Sequence, residues 1–178
     1  MNCAGFIRSA ASGLALAALL CSGPIGAKAQ DVGDPSFLTF QGGAFDLFHD
    51  ETRGAEFGLQ YRSGYRFWFM NPMFGINGST VGNGYVYAGI SFDIFIGNRL
   101  VFRPSFAPGL FLRQSGKDLG HVIEFRTAME LAWRFDDRSR LGVEISHRSN
   151  AGLGRGGTCP CNPGEETLLL SYHLPLGR

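Results

Sequence analysis

The chain has 178 residues, enough for one domain, with 44% hydrophobic residues, 16 Phe, 26 Gly and a formal net charge of +1. Basic and acidic residues are nearly balanced, which leaves no basic field for nucleic acid. Beyond the N-terminal segment there is no uninterrupted apolar run of about 18 residues, so no transmembrane helix is expected.

Met1 to Ala29 reads as a secretory signal peptide: Arg8 supplies the positive start, Ala10 to Leu20 the apolar stretch and Ala27-Lys28-Ala29 the cleavage site. Cys21 invites a lipoprotein reading, but Leu20 is large where such signals place a small residue. Cleavage removes Arg8 and Lys28, so the 16 basic residues fall to 14 against 15 acidic ones, a net of −1. Residues 30–178 then form the mature domain, an outer-membrane barrel by its combination of leader, glycine, aromatics and alternation.

Eight strands are expected, near 36–47, 53–62, 65–77, 83–95, 99–113, 120–135, 140–150 and 165–174. The intervening segments carry turn chemistry such as Ser63-Gly64, Gly97-Asn98 and Asp136-Asp137-Arg138. The second strand sets Ala55, Phe57, Leu59 and Tyr61 against Glu56, Gly58, Gln60 and Arg62. The third alternates less well, and Pro72 predicts a bulge or irregularity there. The sixth is the cleanest. Ile123, Phe125, Thr127, Met129, Leu131, Trp133 and Phe135 share one face, while Glu124, Arg126, Ala128, Glu130, Ala132 and Arg134 share the other.

These features predict an all-β fold, an eight-stranded antiparallel up-and-down transmembrane β-barrel, with opposite charges paired inside it. The alternative is a soluble lipocalin-like barrel, which inverts the two faces. An even strand count puts both termini on the periplasmic side. The seventh strand then ends near the outer rim, and the longest connection, 151–164, lies outside the cell.

That seventh strand carries the chemistry. Its apolar row, Leu141, Val143 and Ile145, continues into His147 and Ser149. A base and a nucleophile on a lipid-facing row make sense if the substrate is lipid. Serine needs a neighbouring base because its hydroxyl ionises poorly near neutral pH, and a carboxylate would hold the imidazole in the required tautomer. Glu165 and Glu166 open the adjacent last strand. Glu166 shares the parity of the apolar row Leu168, Leu170, Tyr172 and Leu174, whereas Glu165 falls with Thr167, Leu169, Ser171 and His173. Only Glu166 is therefore expected to reach His147. Backbone amides from Asn150 to Gly152 and the Asn162 side chain are candidate oxyanion donors.

Other residues read as bland. Cys159 and Cys161 lie in one loop without a histidine pair, a poor zinc site; a local disulfide or two idle thiols fits better. No metal and no cofactor are expected. His49 and His173 lack evident ligand partners and read as loop or lumen residues, and His121 reads as interfacial. Gly152 to Gly157 resembles a phosphate loop only superficially, since it leads into a strand. Arg155 reads as a solvated loop residue.

The run Ser146-His147-Arg148-Ser149-Asn150-Ala151-Gly152-Leu153, followed by Asn162-Pro163-Gly164-Glu165-Glu166, resembles the PagL family of lipid A 3-O-deacylases. These are eight-stranded outer-membrane barrels with a His-x-Ser-Asn motif and an Asn-x-Gly-x-Glu segment. A looser similarity extends to Gly89-Ile90 and Leu170-Ser171-Tyr172. The resemblance implies Ser149 as nucleophile, His147 as base, Glu166 as orienting acid, and Asn150 and Asn162 as oxyanion-supporting residues. It also implies an outer-membrane serine esterase that hydrolyses the ester-linked 3-hydroxyacyl chain at position 3 of lipid A, with the active site facing the outer leaflet. Its partners would be lipopolysaccharide and outer-membrane lipids, with no nucleic acid; a homodimer is compatible with this picture. The alternatives are a structural or adhesive barrel without enzymatic activity, and a different outer-membrane lipid hydrolase such as a phospholipase. Two features depart from the family pattern: a longer 154–161 segment, and a tail, Leu174 to Arg178, that lacks a terminal aromatic.

Overall fold

A computed structural model describes residues 34–154 and 164–177. Its strands are β1 (Ser36–Phe45), β2 (Gly54–Arg62), β3 (Asn71–Ser79), β4 (Asn83–Ser91), β5 (Ile94–Ile96), β6 (Leu100–Arg113), β7 (Ile123–Arg134), β8 (Arg140–Ser149) and β9 (Glu165–Leu176). Each pairs antiparallel with its neighbours. β1 meets β9, and β4 meets β6, so the sheet closes on itself. β4 and β5 are two pieces of one stave, both bonded to β6, and the wall has eight staves. Closure leaves no unpaired edge, as a bilayer demands. Among the described residues no helix is long and apolar enough to cross a membrane.

The two faces divide as the alternation predicts. Phe57, Leu59, Phe74, Ile76, Val86, Leu110, Leu131, Trp133, Val143, Ile145, Leu168 and Leu170 are exposed on the outer wall. Arg62, Arg103, Arg126, Arg140 and Arg148 are buried in the lumen with Glu56, Glu124, Glu130, Glu144 and Glu165. A soluble cup with an apolar interior is thereby excluded. Desolvating such charges is tolerable only when they are paired. Arg126 bonds Glu144, Arg103 bonds Glu130, and Arg148 lies 3.0 Å from both Glu56 and Glu165. Toward the other end Asp93 bridges Arg62 at 3.0 Å and Arg140 at 2.7 Å.

Several boundaries differ from the sequence expectation, three of them instructively. The fourth stave is interrupted at Phe92-Asp93, where Asp93 turns into the lumen toward Arg62 and Arg140. The third starts at Asn71 rather than 65. Residues 67–70 make a small turn, closed by bonds between Phe67 and Met70, with Trp68 at φ 61°. The irregularity attributed to Pro72 thus falls just before it; Pro72 itself lies in β3, facing outward. The first strand stops at Phe45 because Asp46 adopts φ 53°.

Candidate active site

β8 and β9 run side by side with His147 opposite Glu166 and Arg148 opposite Glu165. Successive side chains alternate across the wall, so these neighbouring pairs land on opposite faces. His147 Nδ1 lies 3.0 Å from Glu166 Oε1 on the outer face, where the imidazole is 51% and the carboxylate 27% exposed. Glu165 lies inside, fully buried, against Arg148. Ser149 follows His147 on the outer face, partly exposed and opposite Phe125 of β7.

The chain then reverses sharply. Ala151 and Gly152 both take positive φ, 52° and 82°, and the Leu153 amide donates to the Asn150 carbonyl at 3.0 Å. Asn150 is buried and points inward. Its Nδ2 donates to the Leu119 carbonyl at 2.6 Å, and its Oδ1 accepts from the Gly152 amide at 2.7 Å. Asn150 and Gly152 are therefore bonded to each other, and the Asn150 side chain shapes the turn after Ser149. Asn162, Arg155, Cys159 and Cys161 lie outside the described residues, as does the 1–29 leader.

Gly164, just before β9, lies against the imidazole, and a Cβ there would collide with His147 Cε1. Glycine at this position lets the chain pass over the ring. The Leu47 amide donates to the Glu166 carbonyl at 3.0 Å, fastening the end of β1 to the start of β9.

Sequence reasoning missed the surroundings of Glu166. His49, read as lacking ligand partners, has Nδ1 2.8 Å from Asp46 Oδ1. Asp46, His49 and Glu166 bring donor atoms within 4.8 Å of one another. Such a grouping could hold a cation, and the Lys117 ammonium already supplies one, donating to Asp46 Oδ1 at 2.8 Å. Burial alone would raise the Asp46 pKa, but hydrogen bonds from Lys117, Thr52 and His49 outweigh it and hold the carboxyl below its usual value. The i, i+3 spacing of Asp46 and His49 was a visible hint; the contact with Lys117, 71 residues away, was not. His173 does occupy the lumen, bonded to Glu130 and Thr39. His121 accepts from the Ile123 amide at 2.9 Å and lines a cavity of about 420 Å³ with Leu112, Arg113 and Val122.

A closed barrel with an apolar outer wall, a charged lumen and a histidine–carboxylate pair on the outside is a transmembrane barrel of the outer-membrane class. The profile of the lipid A 3-O-deacylase (PagL) family matches residues 42–175, and the chain belongs to that family. The crystal structure of the outer membrane enzyme PagL superposes with a TM-score of 0.59 at 18% identity, covering 79% of this chain and 99% of that one. A search of curated proteins returned no match.

Proposed function

We propose that this outer-membrane hydrolase is a serine esterase that releases the ester-linked 3-hydroxyacyl chain from position 3 of lipid A. The observation that carries the reading is the His147–Glu166 hydrogen bond on the lipid-facing wall, with Ser149 two residues further along the same face. Residues two apart on a strand are separated by roughly 6.6 Å, a gap that side-chain rotation closes. Glu166 accepts from His147 Nδ1–H, which leaves Nε2 as the base.

Ser149 Oγ attacks the acyl carbonyl carbon while its proton passes to His147 Nε2. The tetrahedral intermediate collapses by breaking the bond to the sugar oxygen, and His147 returns the proton to that oxygen. Water, deprotonated by His147, then attacks the acyl-Ser149 ester; the acyl–Oγ bond breaks, His147 returns the proton to Ser149 Oγ, and a 3-hydroxy fatty acid leaves. The amides of the 150–152 turn other than that of Gly152, which donates to Asn150 Oδ1, and the Asn162 side chain supply donors to the oxyanion, with Asn150 setting the course of the turn. No cofactor takes part.

The outward orientation is part of this proposal and is supported by the even number of staves. With both ends of the barrel chain on the periplasmic side, β8 runs outward and its end meets the outer leaflet. Residues 1–29 serve as the leader and 30–178 as the deacylase domain. Lipid A mass spectra from cells producing the wild type or Ser149→Ala test the reading: the wild type removes one hydroxyacyl mass and the variant does not. Equal spectra would favour a structural barrel, and release of labelled fatty acid from phospholipid instead would mark a different lipid hydrolase.

A further inference from the structure

Beyond the three residues above, the structure ties a distant lysine to the same pair. We propose that Lys117 is a positioning residue for His147 and Glu166: an internal cation that neutralises Asp46 beside Glu166 and holds Gly164 against the imidazole. This rests on the esterase reading of His147, Ser149 and Glu166.

The geometry is specific. Lys117 sits in the β6–β7 connection, yet its ammonium crosses the barrel mouth to the far side. There it donates to Asp46 Oδ1 at 2.8 Å and to the Gly164 carbonyl at 2.9 Å, with His49 Nδ1 at 3.3 Å. Its side chain is only 11% exposed and Asp46 is fully buried. The connection that delivers it is anchored two residues on, where Leu119 enters the lumen cluster of Met73, Tyr85, Tyr87, Ala107 and Phe111 and its carbonyl accepts from Asn150. The reach of Lys117 is therefore built into the fold.

Two effects follow from one ammonium. Mechanically, its bond to the Gly164 carbonyl holds the glycine that touches the His147 ring, while the Leu47 amide holds Glu166 from the other side. Electrically, Asp46 and Glu166 bring carboxylate atoms within 4.8 Å of each other, and without a cation between them two like charges would share the site. The groups facing this cluster are Asp46 and His49 from the β1–β2 connection, Lys117 from β6–β7, and His147 from β8. Behind the wall stand Arg148, Glu165 and Glu56, already paired together. Among the described residues Lys117 is the cation bonded to this set, while Arg53, from the same connection as Asp46, donates to the Leu47 carbonyl and pairs with Asp50.

The test uses the full-length protein in detergent micelles with lipid A, reading kcat, KM and the pH profile. Lys117→Met is expected to lower kcat by about 10- to 100-fold, the scale of a small misplacement of reacting groups, with KM changed less than about threefold. Loss of the positive charge favours proton uptake by the cluster, so the acid limb moves up by about one pH unit. Adding Asp46→Asn to Lys117→Met should bring the limb back toward the wild-type position, and Lys117→Arg should retain most of the rate. Asp46→Asn alone should move the limb downward, a readout that holds even if Lys117→Met fails to assemble. Wild-type kcat and profile in Lys117→Met, or an acid limb unmoved in Asp46→Asn, would overturn the proposal. Ser149→Ala separates the two layers: if it stays active the esterase reading fails, whereas an inactive Ser149→Ala beside a normal Lys117→Met sinks only the role of Lys117.

Discussion

Two charge pairs on the same two strands, one residue out of step, have opposite fates. Arg148 and Glu165 meet inside the wall, where Arg148 also bonds Glu56 and its guanidinium lies 4.5 Å from the Tyr85 ring centroid. His147 and Glu166 meet outside it, with the imidazole half-exposed. The inner pair is enclosed and surrounded by partners, so its contribution is to fill and fix the lumen. The outer pair has one face open to a lipid substrate, so its hydrogen bond can serve a reaction. Residue type and the side of the wall both separate the two: the outer pair holds an imidazole that can exchange a proton, the inner one a guanidinium that stays charged.

Swapping the treatments of the two faces should break that contrast. The largest effect belongs to Ser149→Ala, expected to cut lipid A deacylation by on the order of 10⁴-fold or more while the barrel still shows heat-modifiable migration on gels. Arg148→Met should act on stability instead. Leaving buried carboxylates without their cation costs about 3–5 kcal/mol, read as a lower midpoint of unfolding in urea with lipid vesicles. Glu166→Gln should lose about 100-fold in kcat because the charged imidazole is no longer held. Glu165→Gln should keep most of the activity and lose stability, and the reverse ranking would place the β9 register off by one.

These two glutamates also show how far the sequence could be read. The parity of Leu168, Leu170 and Tyr172 assigned Glu166 to the outer wall, and the register bears out that placement because alternation is a local property of a strand. The same logic carried β7 and β8, whose inner residues are charged and outer ones apolar. It failed at two places. Asp93 interrupts the fourth stave to reach Arg62 and Arg140, and residues 67–70 close a turn where a strand was expected. It was blind to Lys117, whose partners Asp46 and Gly164 come from connections 71 and 47 residues away. Nor did it show that the Asn150 side chain is bonded to the Leu119 carbonyl and the Gly152 amide, shaping the turn that follows Ser149.

Two smaller effects sharpen the picture of the outer site. Gly164→Ala should lower kcat by about tenfold or more, since its Cβ would displace the His147 ring and small misplacements are costly; unchanged kinetics would mean that β9 can yield there. The smallest is a pH effect at Asp46. Its folded-state pKa is depressed, so the stability it contributes is present above the ordinary carboxylate value of 3.8 and is lost as pH falls through the lower folded value. Protection of the 46–53 connection from protease should fall over that acidic window in the wild type. Asp46→Asn should abolish the pH dependence.

The filled lumen has a consequence for the cell that hosts the protein. Tyr85, Tyr87, Phe111 and Leu119 pack across the interior near the site end, and the arginine–carboxylate pairs occupy the length below them. Among the described residues the lumen is thus occupied along its length by side chains, and the purified barrel is expected to add little conductance to a planar bilayer. The candidate site lies on the outside of the cylinder, which leaves the inside free to be filled.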